Sequence, residues 1–114
     1  MEQINSKQDL INYFEKGCKK ENQLCIGVEH EKFIFDNLTN QRINFETVSK
    51  IFNFLEQFGW KPIKEKDYVI GLLREGQSIT LEPGNQIELS GAKLNSIHLN
   101  CSESYKYLDE LRKA

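Results

Sequence analysis

No run of apolar residues in this 114-residue chain approaches the roughly 20 needed for a membrane-spanning helix. The opening stretch, MEQINSKQDL, lacks the basic-then-apolar layout of a secretory leader. A surplus of charge is missing too: 15 Lys+Arg stand against 17 Asp+Glu, for a formal net charge of −2. Such a balance gives no basic field to draw the chain to nucleic acid or anionic lipid, so neither nucleic acid nor membrane is expected as a partner. Cysteine is scarce: Cys18, Cys25 and Cys101 are odd in number and widely spaced, which excludes a disulfide framework and a Cys-x-x-Cys zinc pair. Reduced thiols and a cytoplasmic location are the expectations. Without a leader, the acceptor tripeptides Asn37-Leu38-Thr39 and Asn100-Cys101-Ser102 have no consequence. There is no linker, internal repeat or low-complexity tract, so residues 1–114 read as a single domain, and 39% hydrophobic content supports a modest core.

Periodicity divides the chain into alternating elements. Ser6 caps an expected helix running to about Lys20, with Leu10, Phe14 and Cys18 turned toward a core and Gly17 weakening its end. Leu24 to Asp36 (LCIGVEHEKFIFD) is rich in β-branched and aromatic residues and reads as a strand. Asn44 or Thr47 then opens a second helix with Val48, Ile51, Phe52 and Leu55 on one side, closed near Gly59. Trp60 and Pro62 begin an extended segment. The sequences YVIGLLR, QSITLE and QIELS follow as meandering antiparallel strands between glycine-bearing turns. From Asn95 the pattern returns to helix, with Ile97, Cys101, Tyr105 and Leu108 along one face. The sum is an α+β class, a mostly antiparallel sheet with flanking helices.

The hairpin at GQSITLEPGNQIELSG poses a question of register. A two-residue Gly84-Asn85 turn sets Glu88 opposite Leu81 and mixes charge with hydrocarbon on both faces. A three-residue turn of Pro83, Gly84 and Asn85 instead pairs Glu82 with Gln86, Thr80 with Glu88 and Ser78 with Ser90. Leu81 then meets Ile87, and Ile79 meets Leu89. One face becomes wholly polar and the other wholly apolar, so this register is expected, with Gly84 or Asn85 supplying the left-handed residue. By the same alternation Glu29 and Glu31 leave one face of a strand about 7 Å apart, while Val28, His30 and Lys32 point the other way. Two such carboxylates either lie in solvent or take a cation between them, and hard ions such as Mg²⁺ use oxygen ligands of this kind. Spacing alone leaves both readings open. His30 reads as a packed residue, and His98 has no visible partner. The Gly71 to Gly76 spacing is too loose for a phosphate loop, and no Ser/His/Asp or Cys/His constellation is present.

Three segments carry a resemblance: IGVEHEKFIF at 26–35, GLLREGQSITLEPGNQIELSG at 71–91 and LNSIHLNCSES at 94–104. Together they resemble the N-terminal part of the glutamate–cysteine ligases of the plant and alphaproteobacterial type, over residues 24–114. The resemblance implies part of a glutamine synthetase-like carboxylate-amine ligase fold, in which an antiparallel sheet closes into a funnel. It implies ATP-dependent joining of the glutamate γ-carboxylate to the cysteine amine through a γ-glutamyl phosphate, the first step of glutathione synthesis. It further implies ATP, glutamate and cysteine as small-molecule partners, Mg²⁺ as cofactor, and Glu29, Glu31, Glu82 and Glu88 as its ligands. Asn85 stands where the family's motif usually has a second glycine, and Ile87 where phenylalanine is common. Family members run to several hundred residues, and the basic residues for phosphate and substrate come from segments downstream of those matched here. The chain is therefore expected to be an N-terminal portion of the catalytic domain and inactive alone. The alternative is a free-standing, non-catalytic domain that binds a metal, a small ligand or a protein. An exposed sheet edge also offers self-association.

Overall fold

The computed structural model describes residues 3–114. Its elements are α1 (Lys7–Gly17), β1 (Glu29–Lys32), α2 (Phe45–Leu55), β2 (Lys61–Glu65), β3 (Tyr68–Arg74), β4 (Gln77–Glu82), β5 (Gln86–Ser90) and α3 (Ile97–Lys113). The five strands form one sheet in the order β1-β5-β4-β3-β2. Every pairing is antiparallel. The architecture is α+β, as expected, and built in two layers, with α2 and α3 on one sheet face.

The hairpin adopts the expected register. Glu82 pairs with Gln86, Leu81 with Ile87, Thr80 with Glu88, Ile79 with Leu89 and Ser78 with Ser90. Both candidate left-handed residues are used, Gly84 at φ 77° and Asn85 at φ 61°. Asn85 carries a side chain into that region and uses it: its Nδ2 donates to the Ile43 carbonyl at 3.2 Å, tying the turn to the loop before α2. Ile79, Ile87 and Leu89 are fully buried, and they meet Val48, Phe52 and Leu55 of α2 and Tyr107 of α3 in the core. Burying a side chain of this size stabilises the fold by about 1.5–3 kcal/mol each. In β3 the alternation breaks at a bulge, where the pairing steps from Ile63↔Gly71 to Lys64↔Val69. The extra residue turns Val69 inward together with Leu72 and Arg74.

Asn44 is the residue that caps α2, its side chain accepting from the Thr47 amide at 3.0 Å. A short 3-10 turn, Glu56–Phe58, continues the helix to Gly59, whose φ of 87° closes it. Trp60 and Pro62 lead into β2 as expected.

Three expectations are corrected. Ser6 does cap α1, accepting from the Asp9 amide at 3.1 Å, but the helix stops at Gly17 rather than Lys20 and buries none of its side chains. Leu10 is 43% exposed and Phe14 67%, because no described element lies against that stripe. The strand expected over 24–36 is only four residues long. Lys32 pairs with Ile87, one residue before β5 runs out into the hairpin turn, and on the other side the register slips by one between the Glu29↔Ser90 pair and the isolated Ile26↔Leu94 bridge. The face expected to bury α3 is the wrong one. Asn100, Glu103, Tyr107 and Glu110 are buried, whereas Ile97 is 55% and Tyr105 73% exposed.

The buried face of α3 carries two carboxylates because each meets a donor from outside the helix. Glu110 accepts from Arg74 Nη1 at 2.8 Å and from Trp60 Nε1 at 2.9 Å. The Arg74 guanidinium also lies over the indole, 4.1 Å from its centroid, and donates to the Phe58 carbonyl at 3.0 Å. Glu103 accepts from the Ala92 amide at 2.9 Å. Its other oxygen packs where a Cβ on residue 91 would sit, so a larger residue there has to displace the carboxylate.

Candidate functional site

The sheet face away from α2 and α3 carries all four acids singled out in the sequence. On β1, Glu29 lies opposite Ser90 and Glu31 opposite Glu88, while His30 pairs with the buried Leu89 on the helix side. On the hairpin, Glu88 lies opposite Thr80 and Glu82 opposite Gln86. Directly opposed residues share a face, so Glu31, Glu88 and Thr80 form one row across three strands. Glu29 and Glu82 sit in the flanking rows. Glu29 and Glu31 are exposed, and Glu82 and Glu88 half-buried.

Glu31 and Glu88 are the closest of these pairs. The Gly91 amide donates to the Val28 carbonyl at 2.7 Å, which marks Val28–Gly91 as a hydrogen-bonded pair. Alternation along the ladder then makes His30–Leu89 a second such pair and Glu31–Glu88 a non-hydrogen-bonded one, with Cα atoms about 4.5 Å apart. Like charges so placed repel unless something offsets them. Neutral donors do part of this. Gln86 Nε2 donates to Glu31 at 3.0 Å, Ser90 Oγ to Glu88 at 3.1 Å, and Thr80 Oγ1 to Glu82 at 2.8 Å. Among the described residues, no lysine or arginine forms an ion pair with any of the four. Nor do any three His, Cys, Asp or Glu side chains gather as a ready cluster for a metal ion. The face is thus acidic, oxygen-rich and under-compensated, with one close carboxylate pair at its centre.

One cation beside this face escaped the sequence reading. Asp36 organises the loop after β1: its carboxylate accepts from the Thr39 amide and hydroxyl at 2.8 Å each, and these bonds with Thr39, followed by that from the Leu38 amide, hold its pKa below the usual value. The loop doubles back through the Phe35↔Arg42 bridge. Arg42 comes to rest over the Phe33 ring at 5.2 Å and donates to the Gly84 carbonyl at 3.4 Å, at the tip of the hairpin. Nothing in the sequence marked where the chain returning through Arg42 would come to rest. His30 is a packed residue, as expected, with Nε2 3.1 Å from Ser104 Oγ on α3. The three cysteines are free thiols, all exposed.

The class that the structure defines is that of α+β proteins built as one antiparallel sheet with helices on one face, here with four acidic side chains on the other. Comparison with known families narrows this. The model of glutamate-cysteine ligase family 2 (GCS2) matches residues 25–114. The chain belongs to that family. It is 43% identical over 108 residues to the chloroplastic glutamate–cysteine ligase of Medicago truncatula, covering 94% of this chain and 21% of that protein. The Arabidopsis thaliana ligase is 40% identical over the same shares. Ligase A of Oryza sativa subsp. japonica is 44% identical, with 94% and 22% covered. The chain therefore spans about a fifth of the length of these relatives. Their names also overturn the cytoplasmic expectation, since all three are chloroplastic proteins. The reading of the opening stretch concerned export alone and carried no information about an organelle. Among the described residues no helix is long and apolar enough to cross a membrane.

Proposed function

We propose that this chain supplies the acidic wall of an ATP-dependent ligase that joins the γ-carboxylate of glutamate to the amine of cysteine, the first step of glutathione synthesis. The observation that carries the reading is the Glu31–Glu88 pair, opposed on one open face with Glu29 and Glu82 beside it. The donor set fits Mg²⁺, which prefers hard oxygen ligands and commonly takes one or two protein carboxylates, completing its shell with water and substrate phosphate. A ready-made cage of three acids is not needed for such a site. When bound, Mg²⁺ would offset charge on the triphosphate and on the transferring phosphoryl group. Glu31 and Glu88 would hold it, with Glu29 and Glu82 in support. Thr80, Gln86 and Ser90 keep the carboxylates aimed outward, and the apolar side of β4 and β5 fixes the strand positions from beneath. Arg42 at the hairpin tip provides a cation for a substrate carboxylate or phosphate at the end of the row. In this reading the sheet is part of a larger glutamine synthetase-like sheet, and residues 1–114 form one unit of it.

A second reading has a specific observation in its favour: three of the four acids already hold neutral hydrogen-bond donors. A non-catalytic domain whose acids are merely solvated would look the same. The readings separate in a chimera in which this chain replaces the matched region of the Medicago truncatula ligase. The first expects γ-glutamylcysteine formation from ATP, glutamate and cysteine that depends on Mg²⁺ and on Glu88, with negligible turnover from residues 1–114 alone. A folded chimera with no turnover at any Mg²⁺ concentration supports the second.

A further inference from the structure

The chain between β1 and α2 folds back on itself, and beyond the Phe35↔Arg42 bridge the Ile43 amide donates to the Ile34 carbonyl at 3.0 Å. Ile34 and Ile43 are half-buried and pack against the core, so the loop is anchored on the helix side of the sheet. The alternate burial of β1 persists through residue 35, which leaves Phe33 and Phe35 exposed on the side of Glu29 and Glu31. Arg42, bridged to Phe35, shares that side and is exposed as well.

Two side chains join this loop to the hairpin tip, in opposite directions. Asn85 Nδ2 donates to the Ile43 carbonyl at 3.2 Å, and Arg42 Nη1 donates to the Gly84 carbonyl at 3.4 Å. The second bond is long and runs to a neutral acceptor. The Arg42 guanidinium otherwise lies over the exposed Phe33 ring, and among the described residues it forms no ion pair. A Cβ on Gly84 would come within 3.1 Å of Arg42 Nη1 and 3.5 Å of Phe33 Cε1, so guanidinium and ring close directly on the bare turn. The Asn85 bond is half-buried and reaches the backbone one residue from Arg42.

We infer that Asn85 is a positioning residue: by tying residue 43 to the turn it holds the Arg42 guanidinium at the end of the acidic row, ready for an anionic group of a substrate, a carboxylate or a phosphate. This deepens the proposed function and rests on it. Arg42 makes too little contact of its own to stay in place, since a long bond to a carbonyl and an exposed ring contact hold a flexible side chain weakly. A guanidinium ordered in advance spares the ligand part of the entropy of ordering it. Its charge is also not consumed by an acid of the chain. Asparagine suits the position because it tolerates the left-handed region, here at φ 61°, while carrying an amide donor.

Asn85→Gly keeps the left-handed turn and removes the donor. In the chimera described above it is expected to raise the KM of one substrate about tenfold with kcat within about twofold, and Arg42→Ala should raise the same KM at least as much. A shift in the KM of ATP marks a phosphate, and one in that of glutamate or cysteine a carboxylate. Asn85→Gly added to Arg42→Ala should change that KM no further, because Asn85 acts through Arg42. Leu38→Ala, in the same loop and 91% exposed, should change nothing. In the 114-residue chain, the Phe33 ring current on the Gly84 α-protons reports the contact without turnover, and Asn85→Gly should move their NMR shifts toward random-coil values. Additive effects on KM, unchanged KM values, or Gly84 shifts insensitive to Asn85→Gly would each overturn the inference and leave the ligase reading intact. A folded chimera without turnover counts against the ligase reading instead. Equilibrium binding of ATP, glutamate and cysteine to it, or to the 114-residue chain if the chimera does not fold, then decides the inference. It is upheld if both substitutions weaken the same ligand about tenfold without adding, and overturned if they do not.

Discussion

Glu88 stands at the crossing of two ladders, opposite Glu31 on one side and Thr80 on the other, while its neighbours Ile87 and Leu89 are fully buried through the reverse face. Function and stability are thereby assigned to alternate residues of one strand. In the chimeric ligase, Glu88→Gln should lower kcat on the order of a hundredfold or more if a transition-state charge is lost, with a melting temperature close to that of the unsubstituted protein. Leu89→Ala should cost about 2–5 kcal/mol in denaturant unfolding. Burial also pushes the Tyr107 hydroxyl up to about 12 from the usual 10.0. Above pH 10 the unfolded chain loses that proton and the folded one retains it, so Tyr107 makes stability fall as pH rises from 10 to about 12. The slope approaches about 1.4 kcal/mol per pH unit. Tyr107→Phe should flatten this part of an alkaline titration of the melting temperature. The acids of the hairpin and β1 were legible in the sequence because a period of two assigns every side chain to a face once a turn length is chosen. Glu103 and Glu110 were not, because a carboxylate on a helix is ordinarily a solvated group. Their burial depends on donors that only folding supplies, Trp60 and Arg74 standing 50 and 36 residues from Glu110.

At the scale of elements, the same limit explains which boundaries could be read. Caps and turns are local chemistry, and Ser6, Asn44, Gly59 and the Pro83-Gly84-Asn85 turn all do what their residue types suggest. The length of β1 is set by the end of β5, which lies more than 50 residues away and which no feature of LCIGVEHEKFIFD announces. Helix faces fail for a related reason: an apolar stripe shows that a helix has a partner, not that the partner is present. This applies to α1, which has a cap, a stripe and no buried side chain. Deleting residues 1–20 should therefore leave the melting temperature of the isolated chain within about a degree. A drop of several degrees would show that α1 packs after all. By contrast, Gly91→Ala should lower the melting temperature, because the added methyl group displaces the Glu103 carboxylate, which accepts from the Ala92 amide, and comes within 3.1 Å of the Val28 carbonyl. That substitution joins the two layers in a single measurement.

As a whole, the molecule is a sheet with one side finished and the other open, held together at its finished side by a core and by one buried ionic knot. Breaking such a knot by removing one partner leaves an unpaired charge inside, so Glu110→Ala should cost about 3–5 kcal/mol, measured by denaturant unfolding. The knot has a use for the experimenter as well. Trp60 is the chain's single tryptophan; it is 2% exposed, its ring faces the Arg74 guanidinium, and its Nε1 donates to the penultimate turns of α3. Its fluorescence therefore reports on one event, the seating of the last helix against the sheet. Emission shifted toward that of indole in water, while the backbone circular dichroism stays helical, would mark a chain whose α3 has formed but come away.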